Sequence, residues 1–100
     1  MNSPQPQITS LSNPSVKQAR ALRQRKARAE TGQFLVEGLH HVGQAVEAGW
    51  EVETLFYAPE SLTSHFARDL VERLQHPSPG AAPTRLQPVS APVMESLAEK

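Results

Sequence analysis

Six basic residues fall within twelve positions of this 100-residue chain. They are Lys17, Arg20, Arg23, Arg25, Lys26 and Arg28, and no acidic residue lies between them. Because the net charge of the whole chain is zero, the remainder is neutral to acidic. Arginine binds phosphate with two parallel hydrogen bonds, so the cluster predicts a polyanionic partner, most commonly nucleic acid. A basic face that serves only solubility is the less favoured interpretation.

The chain carries few residues suited to metal binding or catalysis. His40 and His41 are adjacent, so on a helix their side chains point about 100° apart and do not make the i,i+4 pair of helical zinc sites. Cysteine is absent, which removes disulfides and thiolate ligands. No glycine-rich phosphate loop, Walker sequence or nucleophile motif occurs. We therefore expect no metal, no cofactor and no catalysis within these 100 residues.

Glu37 is the one carboxylate with a suggestive position, because it stands directly before Gly38 at the expected start of a helix. A negative charge there is favourable to the helix dipole, and it could hold an arginine of the basic segment by ion pairing. A catalytic role is the alternative, but no partner group is evident. We predict an organising role for Glu37.

Aromatic residues are scarce, with one tryptophan, one tyrosine and three phenylalanines. This composition leaves little for base stacking, so contacts with nucleic acid are expected to be mainly to phosphate. No apolar run approaches the roughly 20 residues of a membrane span, and no signal peptide is evident. The length suits one domain, and we expect a cytoplasmic location.

The basic segment is predicted to be one helix. Asn13 followed by Pro14 is a strong helix start, because asparagine caps free amides and proline fits the first turn. The helix is expected to continue to about Ala29, with a thin apolar stripe formed by Val16, Ala19 and Leu22. Residues 1–7 contain two prolines and are expected to form a disordered tail.

Alternating elements predict an α/β class, as a three-layer α/β/α sandwich with a small parallel or mixed sheet. The domain is expected to extend over residues 8–100. Strands are predicted at Phe34–Val36, which has the apolar run of a strand buried on both faces, at Val52–Tyr57 and at Arg85–Val89. Helices are predicted at Leu39 to Gly49, at Thr63–Gln75 and from Pro92 onward. In the second of these, Phe66, Leu70 and Leu74 recur four apart on one side, which is the expected apolar face. The chain stops at Lys100 without a closing strand, so we expect a fragment of a longer protein.

Many of these residues match a family pattern in order and spacing. They are Ile8–Ser10, Asn13–Pro14, Val16–Lys17, Leu22, Arg28, Gly32, Phe34 and Val36–Gly38, followed by the helix that ends at Gly49. The pattern resembles the N-terminal RNA substrate-binding domain of the SpoU family, in the SPOUT class of RNA 2'-O-ribose methyltransferases. The resemblance begins at Ile8 and covers nearly the whole remaining chain.

The resemblance implies a fold like a ribosomal protein that binds RNA, with ribosomal RNA as the favoured substrate and transfer RNA as the alternative. It implies that S-adenosylmethionine binds a separate knotted catalytic domain, absent from this chain, through which the parent forms a homodimer, while these residues alone are monomeric. The RNA-binding positions carried over are Asn13, Lys17, Arg20, Arg25, Lys26 and Arg28, and the supporting positions are Phe34, Glu37 and Gly38.

Two departures from the family pattern are visible. Ala27 stands where relatives often carry an aromatic residue, which weakens any stacking. Glu95–Leu97 resembles a catalytic motif only superficially, because Ala98 replaces its asparagine. Two alternatives stay open: a free-standing RNA-binding protein of the same fold, and a protein-interaction domain whose basic helix meets an acidic partner.

Overall fold

The computed structural model describes residues 6–77, 79–80 and 82–98. These residues form five α-helices, two strands and one 3₁₀ turn at Pro59–Ser61. The helices are α1 (Pro14–Ala21), α2 (Arg25–Thr31), α3 (Leu39–Glu47), α4 (His65–Gln75) and α5 (Ala91–Ala98), and the strands are β1 (Thr54–Tyr57) and β2 (Arg85–Pro88). Residues 1–5 of the expected tail lie outside the described residues.

The two strands are parallel, with Thr54 opposite Arg85 and Tyr57 opposite Pro88. Parallel strands require a crossover connection, and α4 provides it. The N-terminal segment is tied to the C-terminal end of β2, where Ile8 forms a parallel bridge with Val89. The Ile8 N–H donates to the Pro88 carbonyl at 3.0 Å. The predicted α/β class and the two later strands are confirmed, although β1 begins two residues after Val52.

Two apolar clusters form the core. The α3–α4 cluster contains Val42, Leu55, Tyr57, Leu70, Val71, Leu74 and Leu86. The α1–α5 cluster contains Val16, Ala19, Val89, Val93 and Leu97, with Phe56 packed against it. Neighbouring side chains of a strand point to opposite faces. Leu55 belongs to the α3–α4 cluster and Phe56 packs against the α1–α5 cluster, so the two clusters lie on opposite faces of the sheet.

The single helix predicted from Asn13 to Ala29 is wrong, because the chain turns between α1 and α2. The N–H groups of Leu22, Arg23 and Gln24 donate to carbonyls three residues earlier, at 2.9–3.1 Å. These bonds tighten the last turn of α1, and Gln24 is then extended (φ −86°, ψ 133°). The predicted apolar contact of Val16 and Ala19 is confirmed, since both are buried where α1 packs against α5.

The strand predicted at Phe34–Val36 is also wrong. Leu35 packs against the α1–α5 cluster and Val36 against the α3–α4 cluster, while Phe34 is 56% exposed. In the described residues β1 pairs with β2 alone, and residues 33–37 form no strand. The apolar run therefore bridges two cores, and its burial does not come from a sheet.

Helix α4 departs from its predicted packing at one position. Leu70 and Leu74 are buried as predicted, but Phe66 is 40% exposed. Its ring stacks on His40, with 4.6 Å between ring centroids, and covers Gly43 so closely that a β-carbon there would lie 2.7 Å from the Phe66 ring. The half-exposed Phe66 ring therefore packs between α4 and α3, against His40 and Gly43. None of the helices in the described part of the chain has the length and apolarity that crossing a bilayer requires.

Candidate functional site

The basic segment begins at a well-formed helix cap. The Asn13 Oδ1 accepts a hydrogen bond from the Ser15 N–H at 2.8 Å, and Pro14 occupies the first helical position. The predicted helix start is confirmed. Because the Asn13 side chain is half-buried and its oxygen already accepts a bond, the cap fixes the direction in which α1 carries Lys17 and Arg20.

Three arginines of the segment donate to main-chain carbonyls. The Nη2 of Arg20 donates to the Leu11 carbonyl oxygen at 3.0 Å. The Nη2 of Arg23 donates to the Leu97 carbonyl oxygen at 2.5 Å, near the C-terminus of α5. These acceptors are neutral, so the bonds orient the guanidinium groups and leave their positive charges uncompensated.

Arg28 holds the corner between α1 and α2. Its Nη1 donates to the carbonyls of Leu22 at 3.0 Å and Arg23 at 2.8 Å. Carbonyl groups at the C-terminal end of a helix lack hydrogen-bond donors within that helix. Here the Arg28 side chain, from the next helix, provides the donor. The side chain predicted to face RNA is thus also part of the turn that replaces the predicted long helix.

The other three cations, Lys17, Arg25 and Lys26, are exposed. Helix α2 has no buried residue and lies on the surface. We call the six cations from Lys17 to Arg28 the basic surface. It contains an anchored set (Arg20, Arg23 and Arg28) and an exposed set (Lys17, Arg25 and Lys26), a division that the sequence alone does not reveal.

A shallow, open hollow of about 760 Å³ adjoins the basic surface. It is lined by Leu22, Arg23, Arg28, Gly32, Gln33, Phe34, Leu35 and Glu37. The structure thus brings Phe34 and Glu37, two of the predicted supporting residues, next to Arg23 and Arg28. The ion-pairing role of Glu37 stays a prediction.

Gly38, the third supporting residue, forms the turn into α3. Its φ of 89° lies in the left-handed region that favours glycine. The turn brings the His41 ring back over it, and His41 Nδ1 lies 2.9 Å from the Glu37 carbonyl oxygen, which accepts its hydrogen bond. The His41 ring therefore holds the backbone of Glu37 in place. In the described residues, no three histidine or carboxylate groups come together as a metal site requires.

Substitution of Arg28 is expected to lower the free energy of unfolding by about 1 kcal/mol, since its two hydrogen bonds are solvent-exposed. Arg28→Lys and Arg28→Gln should cost nearly the same, because both bonds come from Nη1 and the shorter lysine side chain ends before the position of that atom. Urea denaturation measures the effect, with Arg25→Gln as the matched control. Wild-type stability in Arg28→Lys would show that the positive charge is sufficient and that the length of the arginine side chain is not required.

Comparison with known proteins identifies the wider group to which this fold belongs. Residues 13–100 match the family described as "MRM3-like substrate binding domain". A 23S rRNA (uridine(2479)-2'-O)-methyltransferase of Streptomyces viridochromogenes is 37% identical over 62 residues, which are 62% of this chain and 22% of that protein.

Two solved structures have a similar fold. The crystal structure of an rRNA methyltransferase from Sinorhizobium meliloti is 35% identical, with a TM-score of 0.67, over 95% of this chain and 32% of that one. The crystal structure of an RNA 2'-O ribose methyltransferase is 27% identical, with a TM-score of 0.75, over 95% of this chain and 33% of that one. This chain thus spans a third or less of the length of these relatives. The family predicted from the sequence is confirmed: the chain belongs to the MRM3-like substrate-binding domains of SpoU-type rRNA 2'-O-methyltransferases.

Proposed function

We propose that this chain is the part of an rRNA 2'-O-ribose methyltransferase that recognises RNA, and that it holds RNA phosphates on the basic surface of α1 and α2. The observation that carries the proposal is the composition of that surface. Six of the ten lysines and arginines lie between Lys17 and Arg28 without an intervening acid, on a domain whose relatives are named as methyltransferases of RNA.

The two sets of cations suit two kinds of phosphate contact. Arg28 uses only Nη1 for its carbonyl bonds, so its Nε and Nη2 hydrogens stay available and are already oriented. Arg20 likewise uses only Nη2. Lys17, Arg25 and Lys26 can follow a backbone of variable shape, because they are exposed. Oriented arginines would fix the register of the RNA, and the exposed set would add affinity.

The position of the clusters supports the finer fold proposal, a three-layer α/β/α sandwich like that of an RNA-binding ribosomal protein. In this arrangement α3 and α4 cover one face of the sheet, and α1 and α5 cover the other. The basic surface then lies at the outer side of one layer, where α1 is held by α5. A rigid sandwich of this kind would set the angle at which RNA meets a second domain.

S-adenosylmethionine is the methyl donor expected for the parent enzyme, and the described residues do not fit it. Gly32, Gly38, Gly49 and Gly80 have positive φ, but each is a separate turn, and they do not combine into one glycine-rich cradle. We therefore place cofactor binding and methyl transfer in a part of the parent protein other than this chain. The role proposed for these residues is to bind and orient RNA.

Salt dependence tests the phosphate contacts. If three or four of the six cations each neutralise one phosphate, the affinity of this chain for a fluorescent structured rRNA fragment is expected to fall with a log–log slope of about −2 to −3, at roughly 0.7 per phosphate for single strands. Fluorescence anisotropy at increasing KCl concentrations measures the slope, and urea denaturation at the same concentrations controls for stability. A slope near zero would contradict phosphate contact, and equal competition by polyglutamate would indicate a surface for any polyanion.

A further inference from the structure

Phe34 and Trp50 form an aromatic pair on the protein surface. Their ring centroids are 5.6 Å apart and their planes meet at 76°. Each residue is 56% exposed, although both are large and apolar. The energetic cost of exposing two neighbouring aromatic rings to water makes such a patch a candidate for binding.

Two helix ends hold the pair in place. Trp50 follows Gly49, whose φ of 85° ends α3. The Trp50 N–H donates to the Ala45 carbonyl at 3.0 Å and the Gly49 N–H donates to the Val46 carbonyl at 3.1 Å, which is the Schellman pattern. The main chain of Trp50 is therefore fixed to the last turn of its own helix.

Phe34 lies two residues after Gly32, the residue that ends α2. Gly32 takes the left-handed conformation (φ 70°), and its N–H donates to the Arg28 carbonyl. The Gln33 N–H then donates to the Thr31 hydroxyl at 3.2 Å, and the Gln33 side chain donates to Glu53. The residues directly before Phe34 are thus tied to the end of α2, and Trp50 is tied to the end of α3.

Charge differs between the two sides of the pair. Phe34 lines the hollow that contains two arginines, Arg23 and Arg28, and one carboxylate, Glu37, so the charge of the hollow is net positive. Trp50 is followed in sequence by Glu51, and the carboxylate of Glu53 accepts a hydrogen bond from the Gln33 side chain. An anionic group is therefore favoured on the arginine side, and a neutral planar group is favoured beside Trp50.

A nucleotide matches this arrangement, because its phosphate is anionic and its base is neutral and flat. In an edge-to-face pair one ring presents its edge to its partner, which leaves a face of that ring open for stacking. We propose that Phe34 and Trp50 form a stacking site for one unpaired RNA base, whose phosphate lies toward Arg23 and Arg28. This proposal rests on the proposed RNA-binding function and adds a base contact to it.

Trp50 is the only tryptophan in the chain, so its fluorescence reports directly on the site. Single-stranded oligoadenylate should quench this fluorescence, because stacking on a base quenches indole emission, whereas an abasic ribose-phosphate strand of the same length should not. Equal quenching by both strands would overturn the proposal, since phosphate alone would then account for the change.

Affinity provides the second readout. Trp50→Ala should weaken oligoadenylate binding by about fivefold to a hundredfold, the range found for one base–aromatic stack. Trp50→Phe should recover most of the loss, and Phe34→Leu should weaken binding while keeping an apolar side chain. The salt slope should stay as in wild type in all three variants, because no phosphate contact is removed. Circular dichroism checks that each variant is folded.

The failures of the two proposals are distinguishable. Wild-type affinity in Trp50→Ala, with the wild-type salt slope, would overturn the stacking site and leave phosphate binding intact. That result would instead favour a protein surface as the occupant of the aromatic pair. Absence of binding by the wild-type chain to any RNA would overturn both proposals.

Discussion

Leu70→Ala is expected to lower the free energy of unfolding by about 2–5 kcal/mol, the range for removing a buried leucine side chain. Leu70 is only 2% exposed and belongs to the α3–α4 cluster. Helix α4, which carries it, is also the crossover between β1 and β2. A cavity at this position therefore weakens both the helix contact and the covering of the sheet.

The expected loss is a large share of the stability of a small domain, which is about 5–15 kcal/mol. Urea denaturation followed by circular dichroism measures it. Glu72→Ala is the matched control, because Glu72 is exposed on the same helix and its replacement should change stability by less than about 0.5 kcal/mol. A loss below about 1 kcal/mol in Leu70→Ala would mean that the cluster collapses around the cavity or contributes little.

The elements that were predicted correctly are those with strong local signals. Asn13–Pro14 marks the start of α1, and Gly49 the end of α3, because capping depends on residues adjacent in sequence. Helix α4 was predictable from the spacing of Leu70 and Leu74, which both reach the core. In each case the physical cause lies within one or two turns of the chain.

The turn between α1 and α2 had no such signal. Residues 22–24 contain neither glycine nor proline, and each residue is compatible with a helix. The turn is held by the Arg28 side chain, which reaches back to Leu22 and Arg23, and by Arg23, which reaches α5. These are tertiary contacts of charged side chains, and hydrophobic periodicity does not report them.

The apolar run at Phe34–Val36 was ambiguous for a related reason. Consecutive apolar residues are buried equally well between two sheet faces or between two clusters, and only tertiary structure decides. Here Leu35 and Val36 bridge the clusters, which turns Phe34 outward. The contact between Phe34 and Trp50 joins residues 16 positions apart, so the basic surface was visible in the sequence and the aromatic pair was not.

The arginines of the anchored set are poor choices for a test of RNA binding. Replacing Arg20, Arg23 or Arg28 removes hydrogen bonds that hold Leu11, α5 or the corner between α1 and α2. A loss of binding in such variants would combine an effect on stability with an effect on charge. The exposed set allows the charge to be changed alone.

Replacing Lys17, Arg25 and Lys26 together with glutamine is therefore expected to weaken binding of the structured rRNA fragment by about tenfold to a hundredfold at low salt. The magnitude of the salt slope should fall by up to about 2, at roughly 0.7 for each phosphate that is no longer neutralised. The free energy of unfolding should stay close to that of wild type, because surface substitutions away from specific interactions have small effects. Anisotropy titrations at several KCl concentrations provide both the affinity and the slope.

The matched control is the triple replacement of Arg68, Arg73 and Arg85 with glutamine, and urea denaturation measures the cost of the bonds that Arg68 donates to the Thr63 and Ser64 carbonyls. It removes the same number of charges from exposed positions on α4 and β2. If overall charge alone attracted RNA, both triple variants would lose affinity equally, because long-range attraction follows the net charge of the molecule. If phosphates lie on the basic surface, only the first variant loses salt slope, since only there are counterions no longer displaced. An unchanged slope in the first variant would place the RNA elsewhere on the domain.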